Sequence, residues 1–120
     1  MTEHKKLARV TSVCLGIEDH GILTCMVMLD GGGWGQGFGG FALDGPGKPE
    51  RRGSAAGCDW LRRLCAFFDA EDIFKDAVGR HVYAIYDEPF GMIVGLQRTE
   101  PEGGKTFLIA DWKAAWEVQP

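Results

Sequence analysis

Apolar and polar residues follow two different periods along this chain. Leu7 to Ile17 reads as a strand, with Val10, Thr11, Val13 and Ile17 supplying the β-branched side chains that suit a pleated sheet. Glu18-Asp19-His20-Gly21 interrupts it as a turn, where Gly21 is free to take a positive φ. Ile22 to Leu29 is a nearly unbroken apolar run, as expected of a strand covered at least in part on both faces, and it completes a hairpin. Gly37 to Leu43 reads as a third strand, and Asp44 to Gly53 as a loop.

From Ala55 to Ala70 the period lengthens. Leu61, Leu64, Cys65 and Phe68 fall at i, i+3, i+4 and i+7, Trp60 and Phe67 widen the face, and Ser54 is placed to cap the helix. Gly57 is expected to cost its first turn about 1 kcal/mol relative to alanine. Asp69 to Asp72 ends this helix. Ile73 to Val78 forms a second, short one, with Glu71 and Asp72 at its start and Gly79 beyond its end. His81 to Tyr86 alternates as a strand, Asp87 to Gly91 turns, Met92 to Gln97 is a strand and Glu100 to Gly104 a loop. Thr106 to Ala110 is the last strand, and Asp111 is placed to cap a final helix in which Trp112 and Trp116 pack together. Residues 1 to 6 read as a polar, mobile end. These elements predict an α+β fold: a mostly antiparallel sheet of about five or six strands, with one main helix and one or two short helices packed on one face. At 120 residues the chain is read as a single domain, 1–120.

The stretch furthest from average composition is Gly31 to Phe41, in which seven residues are glycine. Gly35-x-Gly37-x-x-Gly40 matches the spacing of a dinucleotide-binding turn, but that turn must open a helix, and Pro46 and Pro49 follow instead. No Gly-Lys-Ser/Thr closes the run, which removes the phosphate-loop reading. Two readings stay open. One is a glycine-rich strand connection with bulges and close backbone approaches. The other is a recognition loop of Gly33, Trp34, Gln36, Gly37, Phe38, Gly39, Gly40 and Phe41, with Asp19 and His20 of the neighbouring turn as further binding residues.

The segment Glu18-Asp-His-Gly-Ile-Leu-Thr, followed by an apolar strand and then Gly35-Gln-Gly-Phe-Gly-Gly-Phe-Ala-Leu-Asp44, resembles a family of small uncharacterised proteins encoded by bacteriophages and prophages. The resemblance covers roughly residues 11–86 and is most specific over 18–44. Phe74 and Val78, before Gly79, stand where that pattern has Trp and Leu. It implies a phage context and no particular chemistry.

A net charge of -4 argues against general nucleic-acid binding, and no apolar run approaches the length of a membrane span. The polar start, Thr2-Glu-His-Lys-Lys, points to a cytoplasmic protein of the host cell. Cys14, Cys25, Cys58 and Cys65 lack zinc-site spacing and read as reduced, mostly buried thiols. His20 with Cys25 invites a Cys–His pair, yet Asp-His-Gly is ordinary turn chemistry. Neither a catalytic residue, a metal nor a cofactor is assigned. Glu71, Asp72 and Asp76 read as a solvated helix face, and Arg51, Arg52, Arg62 and Arg63 as a local basic patch. Three functional expectations follow. The first is a phage accessory protein that binds a host protein or complex, such as an inhibitor of a defence or replication component in the manner of an anti-CRISPR. The second is a module that binds or sequesters a small molecule or nucleotide on the glycine-rich aromatic loop. The third is a minor virion or assembly protein that forms homo-oligomers.

Overall fold

Alternation and capping account for most elements of the chain, whose computed structural model describes residues 4–45, 51–88, 91–99 and 104–116. Strands β1 (His4–Ile17), β2 (Leu23–Asp30) and β3 (Gly35–Ala42) come first. A small ladder pairs β4 (Asp44–Gly45) with β5 (Arg52–Gly53), inside the stretch expected to be only a loop. Helices α1 (Ala55–Phe68) and α2 (Ile73–Asp76) precede β6 (His81–Tyr86), β7 (Ile93–Arg98), β8 (Thr106–Leu108) and α3 (Ile109–Trp116). Six strands form one antiparallel sheet in the order β3-β2-β1-β6-β7-β8, and the fold is α+β. The expected turn over 87–91 falls partly, and the expected loop over 100–104 mostly, outside the described residues.

β1 organises the sheet by serving two neighbours in turn. His4 to Arg9 pairs with β6, and Arg9 to Ile17 pairs with β2. A bulge between Val10 and Ser12 marks the hand-over, and there Thr11 Oγ1 donates to the Met28 carbonyl at 3.2 Å. His4 to Lys6 are therefore strand where a mobile end was expected over residues 1 to 6, of which 1–3 lie outside the described residues. Ladder bonds come from the backbone, so the polar side chains of His4, Lys5 and Lys6 do not prevent pairing with Tyr86, Ile85 and Ala84.

The inner face of the sheet carries Ala8, Val10, Val13, Cys25, Val27, Leu29, Phe38, Val82, Ala84 and Leu96, all buried. Trp60, Leu64, Phe67 and Phe68 of α1 complete that core. The sheet curls enough for its two edges to meet: the Phe38 ring lies edge-on to Phe107 of β8, 5.5 Å between centroids. Of the four cysteines only Cys25 is buried; Cys14 and Cys58 are exposed, because their positions fall on the outer face of β1 and in the first turn of α1.

Ser54 caps α1 as expected, its hydroxyl accepting from the Gly57 N–H at 2.9 Å. Asp69 ends the helix in the left-handed region at φ 51. Two cations converge there. Arg98 Nη1 donates to the Phe67 carbonyl at 3.0 Å and to Asp69 Oδ2 at 2.6 Å. Lys105 Nζ donates to the Ala66 carbonyl at 2.9 Å and also reaches Asp69 Oδ1. They satisfy helix-end carbonyls and suit the negative end of the helix dipole. Lys105, then Arg98, holds the Asp69 carboxyl at about 2, below its usual 3.8. A depressed folded pKa stabilises the native state above the unfolded value and loses that contribution as pH falls from 3.8 toward 2. Asp69→Asn should therefore flatten the acid limb of stability between those values while leaving pH 7 folding intact, measured as urea midpoints across pH.

At the far end, Ile109 and Ala110 belong to α3 and not to the last strand. Ile109 is buried, and Asp111 lies within the first turn of the helix, where its charge suits the positive dipole end.

Candidate functional site

A glycine run can lie flat in a sheet because it lets neighbouring side chains cross it. The structure places Gly35 to Ala42 in edge strand β3, joined to β2 by a tight turn in which Gly31 N–H donates to the Trp34 carbonyl. Gly32 (φ 78) and Gly33 (φ 150) make that turn. A Cβ on Gly31 would fall 1.9 Å from the Trp34 ring, so the indole lies over Gly31. On the outer face a Cβ on Gly37 would meet Met26 Sδ at 2.4 Å, and one on Gly40 would meet Met26 Cε at 2.6 Å. Gly39, at φ 108, lies against the Cys25 carbonyl and the Trp60 ring. Gly31, Gly37, Gly39 and Gly40 each make room for a named neighbour.

The aromatic and polar members of the run have separate fates. Phe38 is wholly buried, stacked on Trp60 at 6.1 Å, and cannot touch a partner while the protein is folded. It alternates inward between Gly37 and Gly39, which corrects its placement on a recognition loop. Trp34 is half-buried and packs edge-on to Tyr86 at 6.4 Å, with Lys6 Nζ 5.7 Å from its ring and 5.0 Å from that of Tyr86. Gln36 bridges the curled sheet: its Nε2 donates to the Gly91 carbonyl at 3.3 Å, and its Oε1 accepts from the Tyr86 hydroxyl at 3.2 Å. These contacts join β3 to the far strands.

Asp19 and His20 sit at the β1–β2 turn, at the other end of β2 from Trp34, about 24 Å away at the rise of a strand. They form no common site with Gly33 and Trp34. Glu18 accepts from the His20 backbone N–H at 2.6 Å and lies 3.3 Å from His20 Nδ1; this partner holds the Glu18 carboxyl below its usual range. Cys25 points into the core, where burial, followed by the neighbouring Cys65 and Cys14, pushes its thiol up to about 11. A neutral buried thiol is the opposite of an activated nucleophile. Arg51 pairs with Asp44 at 2.8 Å and Arg63 with Asp59 at 2.7 Å, each tied to its own acid. Among the described residues no group of three His, Cys, Asp or Glu side chains could hold a metal ion, and no helix is long and apolar enough to cross a membrane.

Phe41 leads to a feature that the sequence pattern did not reveal. It forms a groove of about 390 Å³ with Ala42, Ala56, Trp112, Lys113 and Trp116. The Phe41 and Trp112 rings lie 5.6 Å apart, and Lys113 Nζ is 5.4 Å from the Phe41 centroid. The two tryptophans are not simply a pair on α3. Trp112 Nε1 donates to the Ala56 carbonyl at 2.8 Å, and Trp116 Nε1 to Asp59 Oδ2 at 2.7 Å, so α1 orients both. Arg63, then Trp116, keeps the Asp59 carboxyl below its usual range. Trp112 is buried, whereas Trp116 is 41% exposed. The spacing of the two tryptophans was the only local signal. No family model, curated protein or solved structure matches the chain.

Proposed function

We propose that this chain is a phage-encoded accessory binding protein that engages a host macromolecule in the bacterial cytoplasm, with the aromatic groove as its anchor. The observation that carries this reading is Trp116, an indole left 41% exposed yet fixed in orientation by Asp59. Exposed tryptophans held rigid are favoured anchors in protein interfaces, because little side-chain entropy is lost on binding. The phage context rests on the resemblance of residues 18–44. An inhibitor of a defence or replication component is the form of activity that fits a small binding domain in that context.

The test is affinity recovery of the tagged protein from its bacterial host, followed by native mass spectrometry. Trp116→Ala and Lys113→Glu should each lower partner recovery at least about tenfold, as loss of an interface anchor does. Trp34→Ala should leave it unchanged. Recovery that is indifferent to both groove variants sinks the assignment.

Lys113 favours a second reading. A cation beside Phe41 and Trp116 suits an anionic planar ligand such as a nucleotide, with its base on an aromatic ring and its phosphate on the ammonium. That reading expects an added mass of a few hundred daltons, on the order of one nucleotide, in the same native spectrum, lost in Trp116→Ala. A virion or assembly role expects regular homo-oligomers and no host partner.

A further inference from the structure

The second half of β1 is the edge of the sheet there. β6 stops pairing at Arg9, and the chain entering β6 reaches one residue further: Val10 N–H donates to the Arg80 carbonyl at 2.9 Å, and the Val10 carbonyl accepts from Gly79 at 2.8 Å. Past the bulge, β1 pairs only with β2 among the described residues. The turn fixes which backbone groups point where. Glu18 N–H donates to the Ile22 carbonyl, so alternation makes Gly16–Thr24 and Cys14–Met26 the hydrogen-bonded pairs. The N–H and C=O groups of Val13, Leu15 and Ile17 then point off the sheet. Among the described residues, no loop or turn backbone group bonds them.

The bulge and α2, which packs near β1, give this edge some shielding, but its side chains give none. Natural edges are blunted by charge, proline or short length, whereas residues 10–17 hold no charged side chain and no proline. Leu15 is 43% and Ile17 67% exposed, both on the inner-face side of the strand, and Cys14 and Gly16 are exposed on the other.

We infer that a second copy of this chain pairs with the free edge of β1, antiparallel about a two-fold axis at Leu15. That register sets Leu15 against its own counterpart and Val13 against Ile17, joining the apolar side chains of both copies on one face. On the other face Cys14 meets Gly16, which leaves room for it. An uncharged strand is self-compatible in this register, since no like charges oppose each other, and an isologous contact closes after one pairing. The two sheets become one continuous sheet. This contact is separate from the aromatic groove, and either can fail without the other.

Analytical ultracentrifugation up to about 100 μM, a range that detects even weak association, together with amide hydrogen exchange, tests it. The expected result is a doubled mass for the natural chain, with the Leu15 and Ile17 amides protected although β2 does not bond them. Leu15→Pro removes one outward donor and spares the β1–β2 ladder, so it should return a monomer with unchanged circular dichroism. Leu15→Lys, which puts like charges at the axis, should do the same and covers a folding failure of the proline variant. Leu15→Cys, in a background of Cys14→Ser and Cys58→Ser, should crosslink on oxidation, because a hydrogen-bonded pair sits about 5.5 Å apart at Cα, within disulfide reach. A monomer with fast-exchanging Leu15 and Ile17 amides overturns the proposal. So does a dimer that survives both Leu15→Pro and Leu15→Lys, since it forms through another face.

Discussion

Gly57→Ala should destabilise the protein by roughly 2–4 kcal/mol, although the same change in an ordinary exposed helix gains about 1 kcal/mol. The added methyl would lie 2.1 Å from the Leu43 carbonyl oxygen and 2.6 Å from its carbon, and both are backbone atoms that no rotamer change can move. Leu43 is itself pinned. Its N–H donates to the Leu23 carbonyl at 2.8 Å, and its carbonyl accepts from the Ser54 N–H at 3.1 Å and from the Ser54 hydroxyl at 3.2 Å. Relief of the overlap would have to move α1 off the segment that ties it to β2. Thermal unfolding should show a fall in Tm of roughly 8–16 °C for a domain of this size. Ala55→Gly, two residues earlier and exposed, is the control and should cost only the helix-propensity term of about 1 kcal/mol. A gain of about 1 kcal/mol for Gly57→Ala, the mirror image of the control's loss, would mean that the close approach has no energetic weight.

Phe38→Ala should cost about 3–5 kcal/mol, the range for emptying a fully packed aromatic site. The ring fills the meeting point of Trp60 and Phe107, where the sheet edges converge, so its loss leaves a cavity bounded by two rings and opens the seam. Denaturant unfolding gives the loss directly. Partner recovery by the fraction that remains folded should be unchanged, because Phe38 presents no surface. Full stability together with abolished recovery would return Phe38 to a contact role and overturn its place in the core.

The contrast between these two residues shows what the sequence made legible. Periodicity located α1 to within two residues of its end, and the turn at Gly21, because side chains there repeat at the spacing of the element. In β3 the outward positions are glycines, so the alternation that places Phe38 inward has no polar partner to reveal it, and the strand resembles a loop. The loss of Asp19 and His20 from any shared site follows from pairing direction, which puts the turns at the two ends of β2 on opposite sides of the molecule. The groove at Phe41 joins residues from β3, α1 and α3. No local pattern encodes such a meeting. Ile109 and Ala110 continue an apolar strand in sequence yet are helical, with Ile109 buried in the core.

The division of β1 between two partners has a consequence for how the chain assembles. Strands β1 to β3 and β6 to β8 are two meanders built from near neighbours in sequence, and such hairpins close in microseconds. The ladder that stitches them together is the stretch from His4 to Arg9, and its partners lie across the two helices. Closing so long an intervening loop costs entropy before any contact repays it, so the seam should be the slow step and the halves should form first. Destabilising changes at this seam would then speed unfolding far more than they slow folding.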